Sequence, residues 1–317
     1  MKLDIDSFGF PTSNHPTATT ISFTQAKLCW ASVTVGRPNK KAVKAYAGYS
    51  AYEAKFRWNM VQAAIDVSTH TGDLKNSPLF NALDPTEKGG VNYFLGMVFL
   101  KLVAEMTLDV PWLVHYSYMK KRGSLNKLSG KSSPDFVGQQ AGSLKWHIFE
   151  AKARTIDDPF AALSYAKKQA NRNILVDGNS CELKVGSVLY REGADKFLRF
   201  SWEDPVTDEE PVVDLTADKD TWSRYYANAW NLADLQAESS ERFLEEFGFN
   251  IELDEPVHRL RANINDKALE DSIDDLRAKA TLRSRLSEGE VADPDAWNGD
   301  GIRILRVRER RQFGVEG

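Results

Sequence analysis

Apolar residues recur along this chain with two different periods, and the changes between them divide it into elements. Over residues 87–108 (EKGGVNYFLGMVFLKLVAEMTL) apolar side chains fall on most faces of a helix, the pattern of a helix buried on all sides. Residues 110–118 (VPWLVHYSY), 134–139 and 145–154 (KWHIFEAKAR) are short apolar runs separated by turn residues, and they predict three strands. A helix is predicted over 159–173, with Pro159 in its first turn behind Asp157 and Asp158. Residues 183–191 (LKVGSVLYR) and 196–202 predict a fourth and a fifth strand. Helix, three strands, helix, strand is an α/β order in which the first strands pair as a meander.

The flanks are less regular. Residues 1–40, rich in Thr, Ser, Asn and Pro, predict loop with one short strand near 27–35. Tyr46, Tyr49, Phe56, Met60, Ala63 and Ile65 are spaced for a helix over 41–68, and 73–88, with Pro78 and Pro85, predicts mostly loop. Beyond Pro205 the pattern predicts helices over 220–247 and 266–286 and a strand within 297–308. The expected organisation is an N-terminal, partly helical extension (1–80), an α/β core (81–202) and an acidic, mainly helical region (203–317) with a returning strand at 302–308.

Composition narrows the class. With 42% hydrophobic and 27% charged residues among 317, the chain resembles ordinary globular proteins, not disordered or fibrous ones. The longest apolar run, 91–103, is interrupted by Asn92, Gly96 and Lys101 and falls short of the roughly 20 residues that span a bilayer. No basic-then-apolar signal opens the sequence, so a cytoplasmic protein without a membrane partner is expected. Cys29 and Cys181 are too few for a disulfide framework or a four-ligand zinc site. Charge is uneven: residues 81–200 carry 17 Lys/Arg against 12 Asp/Glu, whereas 201–290 carry 10 against 23. The first two-thirds suit a polyanionic partner that the next stretch repels.

Chemistry concentrates at Pro134-Asp135 and, after 14 intervening residues, Glu150-Ala151-Lys152. Side chains alternate along a strand, so Glu150 and Lys152 share a face and Ala151 points away. A hairpin between the second and third strands would bring Asp135 beside them. Two carboxylates and the Ala151 carbonyl form a hard oxygen site for Mg²⁺ or Mn²⁺. Such a metal lowers the pKa of bound water, which Lys152 would orient or help deprotonate. A Glu-x-Lys on a solvated strand more often makes only a cross-strand pair; Asp135 and the element order favour the metal site.

In these residues the sequence resembles the PD-(D/E)xK nuclease superfamily over about residues 86–191, with the motif at Pro134, Asp135, Glu150, Ala151 and Lys152. The resemblance implies a restriction-endonuclease-like α/β core, a mixed sheet flanked by helices, with N-terminal and helical C-terminal additions. It also implies Mg²⁺-dependent (or Mn²⁺-dependent) endonuclease action on DNA, in a bacterial defence, restriction or mobile-element system. Many members add an acidic residue from the preceding helix; Glu87 is preferred here over Glu105. Many carry a Gln after ExK, a role Gln169 would fill, with Lys168 and Arg172 nearby; Tyr165 precedes Gln169, the reverse of the RecB-like order. Lys120, Lys121, Arg122, Lys127 and Lys131 form a basic loop suited to a nucleic-acid backbone. Glu87 reads equally as an acid favouring a helix N-terminus. The alternatives are a non-catalytic binding or scaffold subunit on the same fold and a toxin-like RNase, and a protein partner or homo-oligomer is expected.

Overall fold

The computed structural model describes residues 1–11, 17–36, 47–121, 133–143, 145–155, 158–171, 173–204, 213–238, 243, 247–262, 266–287 and 297–306. It opens with strands β1 (Lys2–Phe8) and β2 (Ala18–Ser22), followed by helix α1 (Gln25–Thr34). The short strand expected near 27–35 is therefore a helix. Thr24 caps it by accepting the Lys27 N–H, and burial of Leu28, Cys29, Trp30, Ala31 and Val33 on several faces removes the polar stripe that marks a helix. β1 was not expected. Leu3 and Ile5 alternate inward with Asp4 and Asp6, a period-two signal only two apolar residues long.

Helix α2 (Ala47–Ala64) leads through β3 (Ile65–Val67) and β4 (Leu74–Asn76) to the short α3 (Pro78–Ala82) and the long α4 (Pro85–Leu108). Asp84 caps α4 and Pro85 opens it, so this proline starts a helix where loop was expected. Among the described residues α4 alone is long and apolar enough to cross a membrane, and it is mostly buried. Asn92 and Lys101, which break the apolar run in sequence, are themselves buried within it.

The core continues with β5 (Trp112–His115), a 3₁₀ turn at Tyr116–Tyr118, β6 (Lys120–Lys121), β7 (Phe136–Gln139), β8 (Trp146–Ala153) and helix α5 (Phe160–Ala170). Then come β9 (Ile174–Val176), β10 (Asn179–Ser180), β11 (Leu183–Glu192) and β12 (Phe197–Glu203). The last part holds β13 (Val213–Thr216), α6 (Lys219–Glu238), β14 (Phe249–Leu253), α7 (Glu255–Arg261), α8 (Asp266–Ser287) and β15 (Ile302–Arg306).

The main sheet runs β2-β1-β12-β11-β8-β7-β5, with β4 and β3 attached beside β12. β5, β7 and β8 pair antiparallel, and β8 pairs parallel with β11, as the crossover through α5 requires. The molecule is thus mixed α/β, a mixed sheet flanked by helices. Residues 1–80 add β1 in parallel beside β12, and β13 joins β6 and β9 in a second small sheet.

Two glycines set how closely the helices approach. A Cβ at Gly96 of α4 would lie 3.0 Å from the Lys152 carbonyl oxygen, and one at Gly186 of β11 would lie 2.5 Å from the Lys167 amide nitrogen of α5. Gly186 pairs with Glu150, and Ala153 faces Gly96, so α5 covers the face carrying Glu150 and Lys152 while α4 covers the other. Gly186→Ala should therefore lift α5 from the sheet and cost about 1–3 kcal/mol, read by denaturant unfolding. An unchanged unfolding midpoint would show that α5 is not held this tightly.

Candidate active site

The site lies where β7 begins. Because β7 starts at Phe136, opposite Phe149, the edge of β8 beyond that point has no strand beside it. Asp135, the residue just before β7, fills the gap with its side chain. Its carboxylate Oδ2 accepts the Ala151 N–H at 3.0 Å, and its own N–H donates to Glu150 Oε2 at 3.0 Å. Each carboxylate is thus fixed by the other's strand. On the opposite edge the Ser187 hydroxyl donates to the Glu150 carbonyl at 2.9 Å. A residue's N–H and C=O leave a strand by the same edge, so the Ala151 carbonyl faces the side on which Asp135 sits. Lys152 Nζ donates to Glu150 Oε1, closing an Asp135–Glu150–Lys152 constellation.

Burial makes this constellation electrostatically tense. Glu150 is only 1% exposed, and its carboxyl is pushed up to about 8, first by burial and then by the neighbouring charge of Asp135. Lys152 pulls the other way and only partly offsets the rise. Asp135 is likewise raised, chiefly by burial, against the opposing pull of the Ala151 N–H and of Lys152. One ammonium is too little positive charge for two buried carboxylates.

The structure brings only some of the other expected residues to this point. Gln169 is half-buried on α5, one turn beyond Tyr165, and its Oε1 is buried without a hydrogen-bond partner among the described residues. Lys168, beside it, is exposed. Glu87 is exposed in the first turn of α4, where it completes a capping box: its side chain accepts the Asp84 N–H and Asp84 accepts the Glu87 N–H. That engagement is the helix-terminus role weighed above. It also lies nine residues from Gly96, the point where α4 meets Lys152, about 13 Å along a helix. Glu105 is committed elsewhere, to Lys27 and the Gly299 N–H.

Sequence reasoning missed Tyr93. It stands on α4 one turn before Gly96, and its phenol is raised by burial and then by the charges of Asp135, against Arg57, and of Glu150. A tyrosine in an apolar helix carries no signal that separates it from core packing.

Lys120 and Lys121 form β6 and are exposed; Arg122, Lys127, Lys131 and Arg172 lie outside the described residues. An open groove of about 660 Å³ runs from Pro134 and Asp135 past Tyr116 to Lys120, Lys121 and Arg224. Two residues of the acidic region, Asp218 and Asp220, also line it. Both are engaged locally: Asp218 accepts from Thr221 at the start of α6, and Asp220 pairs with Arg224. His115 is buried and held down to about 3, chiefly by that burial. Trp146 packs in the core beside Trp222. Arg303 pairs with Glu252 across β14 and β15.

No cluster of three or more His, Cys, Asp or Glu side chains occurs among the described residues. A metal here would rest on Asp135, Glu150 and the Ala151 carbonyl, an all-oxygen set of the kind that Mg²⁺ and Mn²⁺ accept with water or substrate completing the shell. The raised carboxyl groups fit that use, because a divalent cation supplies the missing positive charge. Comparison with protein-family models, curated proteins and solved structures finds no match to this chain.

Proposed function

We propose that this protein is a metal-dependent nuclease of the PD-(D/E)xK type, on a restriction-endonuclease-like core, that hydrolyses phosphodiester bonds in DNA. One observation carries the reading: the buried Glu150 and the half-buried Asp135 are locked together, the one carboxylate by the Asp135 N–H and the other by the Ala151 N–H of the Glu150 strand, and they face a single lysine. A structural ion pair has no need of the second acid, whose presence raises the pKa of the first.

In this reading Asp135, Glu150 and the Ala151 carbonyl hold Mg²⁺ or Mn²⁺. The bound ion would supply Lewis-acid polarisation of the phosphate and a lowered pKa for coordinated water. Lys152 would hold the attacking water and oppose the charge growing on the phosphoryl oxygens. Gln169, whose Oε1 has no hydrogen-bond partner among the described residues, would orient the same water or a substrate hydroxyl. Lys120 and Lys121 lie along the groove leading from Asp135 and carry the phosphate backbone.

Calorimetric titration with Mn²⁺ tests the site directly. Glu150 holds its proton up to about pH 8 in the metal-free protein, so binding must displace it. Apparent affinity should climb by up to about tenfold per pH unit from pH 6 to 8 and level off above that. Glu150→Ala should lose the binding. Parallel incubation of DNA and RNA with Mn²⁺, with EDTA as control, assigns the substrate. Binding without cleavage of either polymer would favour the scaffold alternative, and RNA cleavage alone the RNase.

A further inference from the structure

Exposed aromatic rings stand on both helices that pack against the strand carrying Glu150 and Lys152. Tyr165 of α5 is 54% exposed, and its ring centroid lies 5.5 Å from Lys152 Nζ. Tyr93 of α4 is 53% exposed; three residues further along that helix, Gly96 lies against the Lys152 backbone. The two helices cover opposite faces of the sheet, so Tyr165 stands over the Lys152 amine and Tyr93 stands on α4 one turn before the point where that helix meets the Lys152 backbone. Neither ring is spent on the core. A phosphate held at Lys152 would have a tyrosine towards each neighbouring nucleotide.

Base pairing and stacking decide what such rings can bind. Inside a duplex both faces of a base are covered by its neighbours, so a side chain stacks only on a base that is unpaired. Every base has a π face, which makes this recognition tolerant of sequence. The groove beyond Asp135 continues to the exposed Lys120 and Lys121, with the buried Tyr116 forming part of its wall. A backbone passing along it would meet these two cations.

We propose that the site takes unpaired nucleic acid, with the bases on either side of the bound phosphate stacked on Tyr93 and Tyr165 and the backbone continuing into the groove at Lys120 and Lys121. The proposal rests on the nuclease reading for the phosphate at the centre, but its own content is strand state.

The test is fluorescence anisotropy of the full chain in Ca²⁺, using a labelled oligothymidylate of about 20 nucleotides and the same strand annealed to its complement. An oligouridylate of equal length separates DNA from RNA. The single strand should bind at least about tenfold tighter than the duplex. Tyr93→Ala and Tyr165→Ala should each weaken it about tenfold, while Tyr93→Phe and Tyr165→Phe keep most of the affinity, because stacking needs the ring and not the hydroxyl. Both positions are half-exposed, so circular dichroism should show the fold unchanged. Equal affinity for duplex and single strand, or alanine variants that bind like the wild type, would overturn the proposal. Tyrosine-dependent single-strand binding without cleavage in Mn²⁺ would uphold it and reject the nuclease reading instead.

Discussion

Lys152→Ala, Glu150→Ala and Asp135→Ala should each lower Mn²⁺-dependent cleavage by at least about two orders of magnitude, the usual scale for losing a positioned acid–base or electrostatic group. The three losses have different origins. Lys152→Ala leaves both carboxylates, so metal binding should persist while turnover falls. Glu150→Ala and Asp135→Ala remove metal donors, and excess Mn²⁺ should partly restore Asp135→Ala only if Glu150 and the Ala151 carbonyl still hold the ion. All three should stay folded. Removing Lys152 leaves Glu150 without its counter-charge, but that carboxyl already keeps its proton up to about pH 8 and can remain neutral. Removing Asp135 relieves the repulsion that raises Glu150, at the cost of the Ala151 N–H partner. Wild-type cleavage by Lys152→Ala would falsify the assigned mechanism.

The central elements were legible because each is strongly patterned. The meander of β5, β7 and β8, the crossover through α5 and the antiparallel β12 all follow the order that the apolar runs imply. Asp135 meets Glu150 because the PD turn and the ExK strand are neighbours in that meander, so a one-dimensional spacing became a contact. Other parts obey signals that sequence reading does not carry. Trp30 and Cys29 are fully buried on a helix whose apolar faces leave no amphipathic period. β9 and β13 are three and four residues long and are defined by each other across the fold. Glu87 shows a different ambiguity: Asp84-Pro85-Thr86-Glu87 is a capping box by its letters alone, and the same acid in the same helix can be read as a metal ligand. Tyr93 was hidden because an aromatic in an apolar helix reads as core.

The largest expected loss of stability lies away from the carboxylates, at Asp300. This residue is fully buried, and it ties the region just before β15 to helices α1, α4 and α6. Its carboxylate accepts the Trp30 indole N–H at 3.0 Å and the Tyr225 hydroxyl at 2.6 Å, while its carbonyl accepts the Tyr226 hydroxyl at 2.8 Å. Lys101 of α4, also fully buried, lies 4.0 Å away and donates to Tyr225 and to the Pro111 carbonyl at 2.7 Å each. Burial holds Lys101 down to about 8, and the charges of Asp300 and Glu105 keep it from falling further. At pH 7 it is still mostly protonated and needs its counter-ion. Asp300→Ala strands that ammonium and leaves the Trp30 indole N–H unpaired, while the Tyr225 hydroxyl keeps the Pro111 carbonyl, so it should cost about 3–5 kcal/mol in chemical unfolding. Pairing it with Lys101→Met removes the orphaned charge and should recover a large part of the loss. The loss should also shrink as pH rises towards about 8, where Lys101 sheds its proton in the folded wild type, and level off above that, because the unfolded lysine is common to both variants. A loss under about 1 kcal/mol, or a double variant no more stable than Asp300→Ala, would mean that water reaches Lys101 and that this pair does not pin the last strand to α4.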